Sequence, residues 1–235
     1  MIELSHLFAS LVDPNGKILI KGLTDEVNPV TEEEKAIYSS IDFDKDVFQK
    51  DVGSGKLTSD DRTEVLMRRW RFPSLSVHGV QGAFAEPGEK TVIPAKVIGK
   101  FSIRIVPSMT HAHIEKCVVD HVNQVHESLN TKNKVKCYFA KQPSKPWLAD
   151  YDNQNFSAAR EAVTSVWGIA PDLTREGGSI PITLVFEEVT GKSVLLLPMG
   201  SCDDGAHSQN EKLNVDNYMK GTKVMAEYIS RLGKL

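Results

Sequence analysis

Hydrophobic residues recur every three or four positions in several segments, which predicts amphipathic helices. In residues 2–11 the pattern is formed by Leu4, Leu7, Phe8 and Leu11. A longer helix is predicted from PSMT to about residue 129, with an apolar stripe made of Ile114, Val118, Val122, Val125 and Leu129. Thr31 and Glu34 form a capping box that predicts a helix through EEEKAIYSSI. Further helices are predicted to end at Gly168, to begin near Ser179 and to begin near Asn214.

Alternating or continuous apolar runs predict the strands. In AKVIGKFSIRIV, residues 95–106, one face carries Val97, Phe101, Ile103 and Ile105, and the other carries Lys96, Lys100, Ser102 and Arg104. The run VLLLP is typical of a continuous buried strand, VKCYFA predicts a further strand, and KILIKGL predicts a short strand or extended segment. The chain is therefore expected to be an α/β protein, with a small sheet covered by helices on one face.

Two polar segments raise questions of ligand binding. GSGKLTSDDR lacks the spacing of a phosphate-binding loop and is predicted to be a plain loop. A basic cluster in MRRWRFPSLSVHGV lies beside Trp70, and either a nucleic-acid patch or an exposed strand edge would account for it. The net charge of −3 favours the strand edge, because nucleic-acid-binding domains usually carry a basic excess.

Composition narrows the class of protein further. The 235 residues are 40% hydrophobic, enough for one large domain or two small ones. Three scattered cysteines favour a reducing compartment, and no apolar run is long enough for a membrane span. We therefore expect a cytoplasmic protein that binds neither nucleic acid nor membrane. A shift to Pro and Ser in KQPSKPW indicates a linker between residues 1–144 and 145–235.

Three places combine residues with possible chemistry. His207 lies in SCDDGAHSQNEKLN, after a predicted buried strand, where α/β sheets often bind ligands. Ser179 lies in TREGGSIP at a predicted helix N-terminus, which favours an anion, although a plain N-cap is the commoner role. His113, Cys117 and His121 share a helix face, but no further ligand nearby completes a metal site.

These segments together resemble a known family. PSLSVHGV, KTVIPAKVIGKFSIRIVPSMT, KPW, PDLTREGGSIPITL and GSCDDGAHSQNEKLN resemble the cytosolic non-specific dipeptidases, also called carnosine dipeptidases. These are dinuclear zinc metallopeptidases, a family that includes the aminoacylases and carboxypeptidase G enzymes. The resemblance covers almost the whole chain. It implies a lid, or dimerisation, domain with an antiparallel sheet over residues 1–144, and the C-terminal part of an α/β catalytic domain over residues 145–235.

The resemblance also implies roles for particular residues. His207 matches a metal ligand and is also expected to contact the substrate, while Arg104 and Ser179 match substrate-contacting residues. Thr91 matches a lid residue that reaches the active site of the other subunit of a homodimer. Family members hydrolyse the peptide bond of dipeptides with a water molecule activated by two zinc or manganese ions.

Departures from the family pattern set limits on this expectation. The remaining metal ligands and the general-base glutamate of the family lie in an N-terminal half that this chain does not match. Gln142 stands where relatives carry a histidine. The chain alone is therefore predicted to be an inactive portion of a metal-dependent dipeptidase. The alternative is a non-catalytic dimerisation or regulatory module that pairs with full-length subunits, and the sequence leaves both open.

Overall fold

The structure is a computed structural model that describes residues 1–139, 144–175, 180 and 182–235. The described helices are α1 (Ile2–Leu11), α2 (Glu32–Ser40), α3 (Lys45–Val52), α4 (Arg62–Trp70), α5 (His111–Ser128), α6 (Gln154–Trp167), α7 (Ile182–Thr190) and α8 (Val215–Leu232). The described strands are β1 (Ser74–Gln81) and β2 (Ile98–Arg104). The protein is thus a mixed α/β chain with a small antiparallel sheet, as the sequence predicts at that level.

The chain divides into two units. The first unit contains Met1–Thr31 and Leu66–Pro146, and the second contains Glu32–Val65 and Trp147–Leu235. Assigning these parts to a lid and to a catalytic domain stays a prediction.

The first unit is built on helices packed with a two-stranded antiparallel ribbon. In the ribbon Ser74 pairs with Arg104 and Gln81 pairs with Ile98, and a β-bulge interrupts the register between Val77 and Gly79. Helix α1 packs against α5. The buried core of this unit consists of Leu7, Leu11, Ile20, Leu23, Leu75, Val106, Met109, Ile114, Val118 and Val122. The predicted stripes of α1 and α5 therefore supply half of this core.

The apolar and polar faces of β2 are as predicted, although the strand is shorter than the predicted residues 95–106. Phe101 and Ile103 are half-buried and pack against the core, whereas Lys100, Ser102 and Arg104 are exposed. An exposed Arg104 at the end of a paired strand has a backbone held by the ladder and a side chain directed away from the core.

The second unit depends on close packing of α6 against α8. The buried residues of these helices are small: Ala158, Ala159 and Ala162 in α6, and Gly221 and Val224 in α8. Small side chains let two helix backbones approach closely. Helix α6 begins at an Asn153 cap and ends at Gly168, which is in the left-handed conformation.

Helix α8 also holds the segment that leads to residue 201. A Cβ atom built on Gly221 would overlap the Met199 sulfur and would lie 2.9 Å from the Met199 Cβ. Asn217 Nδ2 donates a hydrogen bond of 3.0 Å to the Met199 carbonyl oxygen. The first two turns of α8 therefore fix the position from which the polar loop after Gly200 departs.

Two predicted strands are wrong within the described residues. Residues 135–139 and 194–198 are not in strands, and VLLLP is not continuously buried, since Leu196 is 37% exposed. A strand needs a neighbour for its backbone N–H and C=O groups. The structure describes no such neighbour for either run. KILIKGL is limited to an isolated bridge between Val12 and Ile18.

The sequence reading also missed two helices. Asp44 caps α3 by accepting from the N–H groups of Asp46 and Val47, and Gly53 ends that helix in the left-handed conformation. Helix α4 contains most of the basic cluster, so the predicted exposed strand edge is wrong there. Arg71, just after α4, is only 4% exposed and donates to the Asn28 carbonyl oxygen at 2.9 Å.

We predict that Gly221→Ala destabilises the chain. Alanine favours a helix over glycine by about 1 kcal/mol, but the added methyl group overlaps Met199 and the overpacking costs about 1–3 kcal/mol. Urea unfolding should therefore give a lower free energy for Gly221→Ala and an unchanged or higher one for Lys223→Ala at an exposed position of α8. The double variant Met199→Ala/Gly221→Ala should recover part of the loss. A stabilised Gly221→Ala would contradict the contact with Met199.

Candidate functional site

The polar loop of residues 201–214 is organised around Asp204, whose side chain is only 14% exposed. Its Oδ2 atom accepts a hydrogen bond of 2.7 Å from the Ser201 N–H, and its own N–H donates to the Ser201 carbonyl oxygen at 3.2 Å. A Cβ atom on Gly200 would lie 2.7 Å from Asp204 Oδ2. The glycine therefore lets this carboxylate close over the start of the loop. We call residues 201–214 the His207 loop.

The other end of the His207 loop is held by Lys212. Its ammonium lies 3.0 Å from Asp203 Oδ1 and 3.1 Å from Asp204 Oδ1. Its backbone N–H donates to the Asp204 carbonyl oxygen at 2.9 Å, and its Nζ lies 3.4 Å from Asn214 Oδ1. Asp204 and Lys212 thus form the base from which residues 205–211 protrude.

His207 is exposed on this protruding part and has a backbone φ of 64°. Histidine is among the non-glycine residues that occupy the left-handed region more often than most. The His207 N–H donates to Glu211 Oε2 at 3.3 Å. This geometry ties the backbone of His207 to the loop and leaves its imidazole open to solvent.

Hydrogen bonding shifts the ionisation of two groups in the loop. Hydrogen bonds from Ser201 and then from Lys212 lower the pKa of Asp203. The Lys212 pKa is raised in turn, first by its hydrogen bond to Asp203 and then by that to Asp204. Both groups are therefore charged around neutral pH, and the two carboxylates share one ammonium.

The predicted substrate-binding residues of the first unit lie on and beside the ribbon. Arg104 ends β2 on its exposed side, where Ser102 also lies and forms a 2.6 Å hydrogen bond with His78 Nε2. Thr91 is exposed in the segment between β1 and β2. Arg104 and Thr91 belong to the first unit and His207 to the second. Ser179 and Gln142 lie outside the described residues.

His113, Cys117 and His121, the histidine and cysteine row on α5, form contacts within the protein. His113 Nε2 lies 2.8 Å from the Gly22 carbonyl oxygen and 3.5 Å from the Cys117 sulfur. His121 Nε2 lies 3.0 Å from Ser10 Oγ. Burial raises the pKa of the Cys117 thiol. These contacts support a packing role for the row.

The described residues do not fit a complete metal centre. Among residues 1–139, 144–175, 180 and 182–235, no group of three or more His, Cys, Asp or Glu side chains is placed to hold a metal ion. A catalytic zinc ion uses about three protein ligands. His207 therefore offers a single imidazole, and the aspartates that precede it are engaged by Lys212.

Sequence reasoning singled out His207 but missed Lys212 and Ser201. Lys212 is one of many charged residues in the chain, and no local motif links it to an aspartate eight positions earlier. Its role follows only from the path of the loop. The one available signal is composition: two adjacent carboxylates in a short loop favour a nearby cation.

The lining of one cavity includes none of the predicted site residues. A cavity of about 560 Å³ in the second unit is lined by Asp42, Phe43, Asp44, Lys45, Asp46, Asp60, Asp61 and Arg62. Separately, none of the helices in the described part of the chain is both long and apolar enough to cross a membrane.

Comparison with known proteins identifies the family. Residues 23–231 match the model of Peptidase family M20/M25/M40. The chain therefore belongs to this peptidase family.

Individual relatives share sequence with the whole chain. It is 48% identical over 234 residues to the Cys-Gly metallodipeptidase DUG1 of Candida albicans, covering 100% of this chain and 48% of the relative. It is 45% identical over 235 residues to the Beta-Ala-His dipeptidase of Homo sapiens, covering 100% of this chain and 46% of the relative. The solved structure of the di-peptidase Dug1p from Saccharomyces cerevisiae matches with a TM-score of 0.93 and 48% identity. The match covers 100% of this chain and 49% of that structure's chain. The chain thus spans about half the length of these relatives.

We predict that Asp203 titrates below the ordinary aspartate value of 3.8. Because the folded pKa is lowered, the stabilisation from its hydrogen bonds is complete above 3.8 and is lost as the pH falls through the folded value. A carbon-detected NMR titration of the Asp203 carboxylate should show this midpoint. Ser201→Ala and Lys212→Met should each raise the midpoint, because the Ser201 hydrogen bond is the largest single cause and Lys212 contributes both a hydrogen bond and a charge. A midpoint at or above 3.8 in the unmodified chain would contradict the loop geometry.

Proposed function

We propose that this chain is a portion of a metal-dependent dipeptidase that hydrolyses the peptide bond of dipeptides. The observation that carries the proposal is the extent of the similarity: between 45% and 48% identity to two dipeptidases, along the full length of this chain. A likeness confined to the ribbon or to one motif would support the fold alone. Here it includes the His207 loop and β2.

The proposed roles follow the placement of the side chains. His207 is proposed as a metal ligand, since its imidazole is exposed at the tip of a loop closed at its base. Arg104 is proposed to bind the carboxylate end of a dipeptide, because an exposed guanidinium on a paired strand suits carboxylate recognition. Thr91 and Ser179 are proposed as further substrate contacts on the family resemblance alone, since Ser179 lies outside the described residues.

The proposed metal is zinc or manganese, with two ions in the intact site. Imidazole is a good zinc ligand, and oxygen-rich sites also accept manganese. His207 supplies one imidazole, and the described residues contain no group of three or more side chains placed to hold a metal ion. By themselves they therefore cannot support a metal-dependent step. We therefore propose that this chain alone is inactive and that the remaining ligands and the general base come from a segment it does not contain. A cytoplasmic location is part of the same proposal.

The test is hydrolysis of the dipeptides Cys-Gly and β-Ala-His with zinc or manganese added. The purified chain should be inactive. Activity should appear when it is mixed with the part of a dipeptidase relative that this chain does not match. His207→Asn should lower that activity by at least about a hundredfold, since even residues that only support a metal ligand contribute 10- to 100-fold.

Asparagine is the chosen replacement because it tolerates the left-handed backbone of His207 while it removes the imidazole. His6→Asn, at an exposed position of α1, is the matched control and should have no effect. Activity of the isolated chain that His207→Asn abolishes would mean that it holds ligands beyond those described. Reconstituted activity that survives His207→Asn would refute the role of His207.

A second candidate function is a non-catalytic dimerisation or regulatory module. The observation that favours it is an exposed apolar pair beside Thr91: Val92 is 70% exposed and Ile93 is 89% exposed. Adjacent apolar side chains with such exposure often mark a protein–protein contact. A chain that pairs with full-length subunits through this segment would modulate them without catalysing a reaction.

We predict that the chain forms a homodimer whose dissociation constant rises about tenfold or more in Val92→Ser/Ile93→Ser, because these side chains would be central apolar contacts. Sedimentation equilibrium would measure this dissociation constant. Val189→Ser, at a 79% exposed position of α7, is the control and should leave the dimer intact. A chain that is monomeric at every concentration tested would rule out this candidate.

A further inference from the structure

We propose that Lys212 is the positioning residue of the His207 loop: it holds the two ends of the protruding segment together and so fixes the backbone of His207. This inference rests on the proposed function only in taking His207 as a functional group. Its structural part concerns the loop and stands on contacts among described residues.

The first argument is connectivity. Lys212 reaches Asp203 and Asp204 with its ammonium and the Asp204 carbonyl oxygen with its backbone N–H. Asp204 is in turn bonded to the Ser201 N–H. Lys212 thus joins the end of the loop to its beginning through three acceptors.

The second argument is the conformation between these ends. Gly205, His207 and Asn210 have φ values of 66°, 64° and 59°. Left-handed residues are locally unfavourable unless they are glycine, so a loop with two of them needs contacts that hold it closed. Inside the protrusion the Ser208 N–H donates to the Gly205 carbonyl oxygen, and the His207 N–H donates to Glu211. These short-range bonds shape the tip, but neither of them joins it to Ser201.

The third argument is charge. Asp203 and Asp204 are adjacent carboxylates, and like charges this close repel each other. Lys212 contacts both carboxylates from one position and offsets part of this repulsion, and the ion pairs described for the two aspartates involve no other cation. Without the ammonium, the carboxylates would separate and the backbone between them and His207 would lose its anchor.

The fourth argument is attachment to a rigid element. Lys212 Nζ also lies 3.4 Å from the side-chain oxygen of Asn214, the residue that precedes α8. The start of the loop is tied to the same helix through Asn217 and the Met199 carbonyl oxygen. Lys212 therefore connects the segment that carries His207 to the ordered helix α8.

The test uses the 235-residue chain without metal or substrate. Lys212→Met removes the ammonium and keeps the length of the side chain. NMR hydrogen exchange of the Ser201 and Lys212 N–H groups should accelerate on the order of fivefold or more, as expected when a surface ion-pair network is lost. The three-bond coupling between the Ala206 carbonyl carbon and the His207 Hα, which is large only at positive φ, should fall toward the averaged value of a flexible loop.

Two variants separate positioning from general stability. Lys212→Arg keeps the charge and should restore both the slow exchange and the His207 coupling. Lys116→Met removes another exposed ion pair, to Asp120 on α5, and should change neither. The thermal midpoint of the whole chain should be nearly the same in all three variants.

Unchanged exchange and coupling in Lys212→Met would overturn the proposal, as would a failure of Lys212→Arg to restore them. The proposed function fails by a different result, namely reconstituted hydrolysis that survives His207→Asn. Since the loop measurements need neither metal nor substrate, the two failures are distinguishable.

Discussion

The candidate site depends on the contact between Gly221 of α8 and the side chain of Met199. Only a residue without a Cβ atom lets the thioether lie on the helix at this distance. The Asn217 hydrogen bond to the Met199 carbonyl oxygen then fixes the backbone as well. Because Gly200 and Ser201 follow immediately, the direction in which the His207 loop leaves the second unit is set by two turns of one helix.

Much of the helical framework could be predicted from the sequence, because each helix carries its own signals. The stripes of α1 and α5, the capping box before α2 and the glycine after α6 are all local features. The runs VKCYFA and VLLLP show the limit of this approach. An apolar run indicates that a segment suits a strand, but strand formation requires a second backbone to pair with, and a pattern in one segment says nothing about that partner.

The candidate site was predictable to a different degree. Position in the chain and resemblance to a family drew attention to His207, and the alternation along β2 placed Arg104 on the exposed side of the ribbon. Lys212 could not be found in this way. Its importance comes from a loop that returns to its own start, and such a closure depends on left-handed residues whose conformations a sequence pattern does not report.

The segment 194–198 has a consequence for how the second unit folds. The pairing of α6 with α8 involves helices that form quickly from local contacts, whereas strand pairing between distant segments is slow. Residues 194–198 are apolar and pair with no strand among the described residues, so their backbone N–H and C=O groups offer a template onto which another chain's strand can add. At low protein concentration such encounters between chains are rare. Folding of the single chain is then favoured over intermolecular β-aggregation.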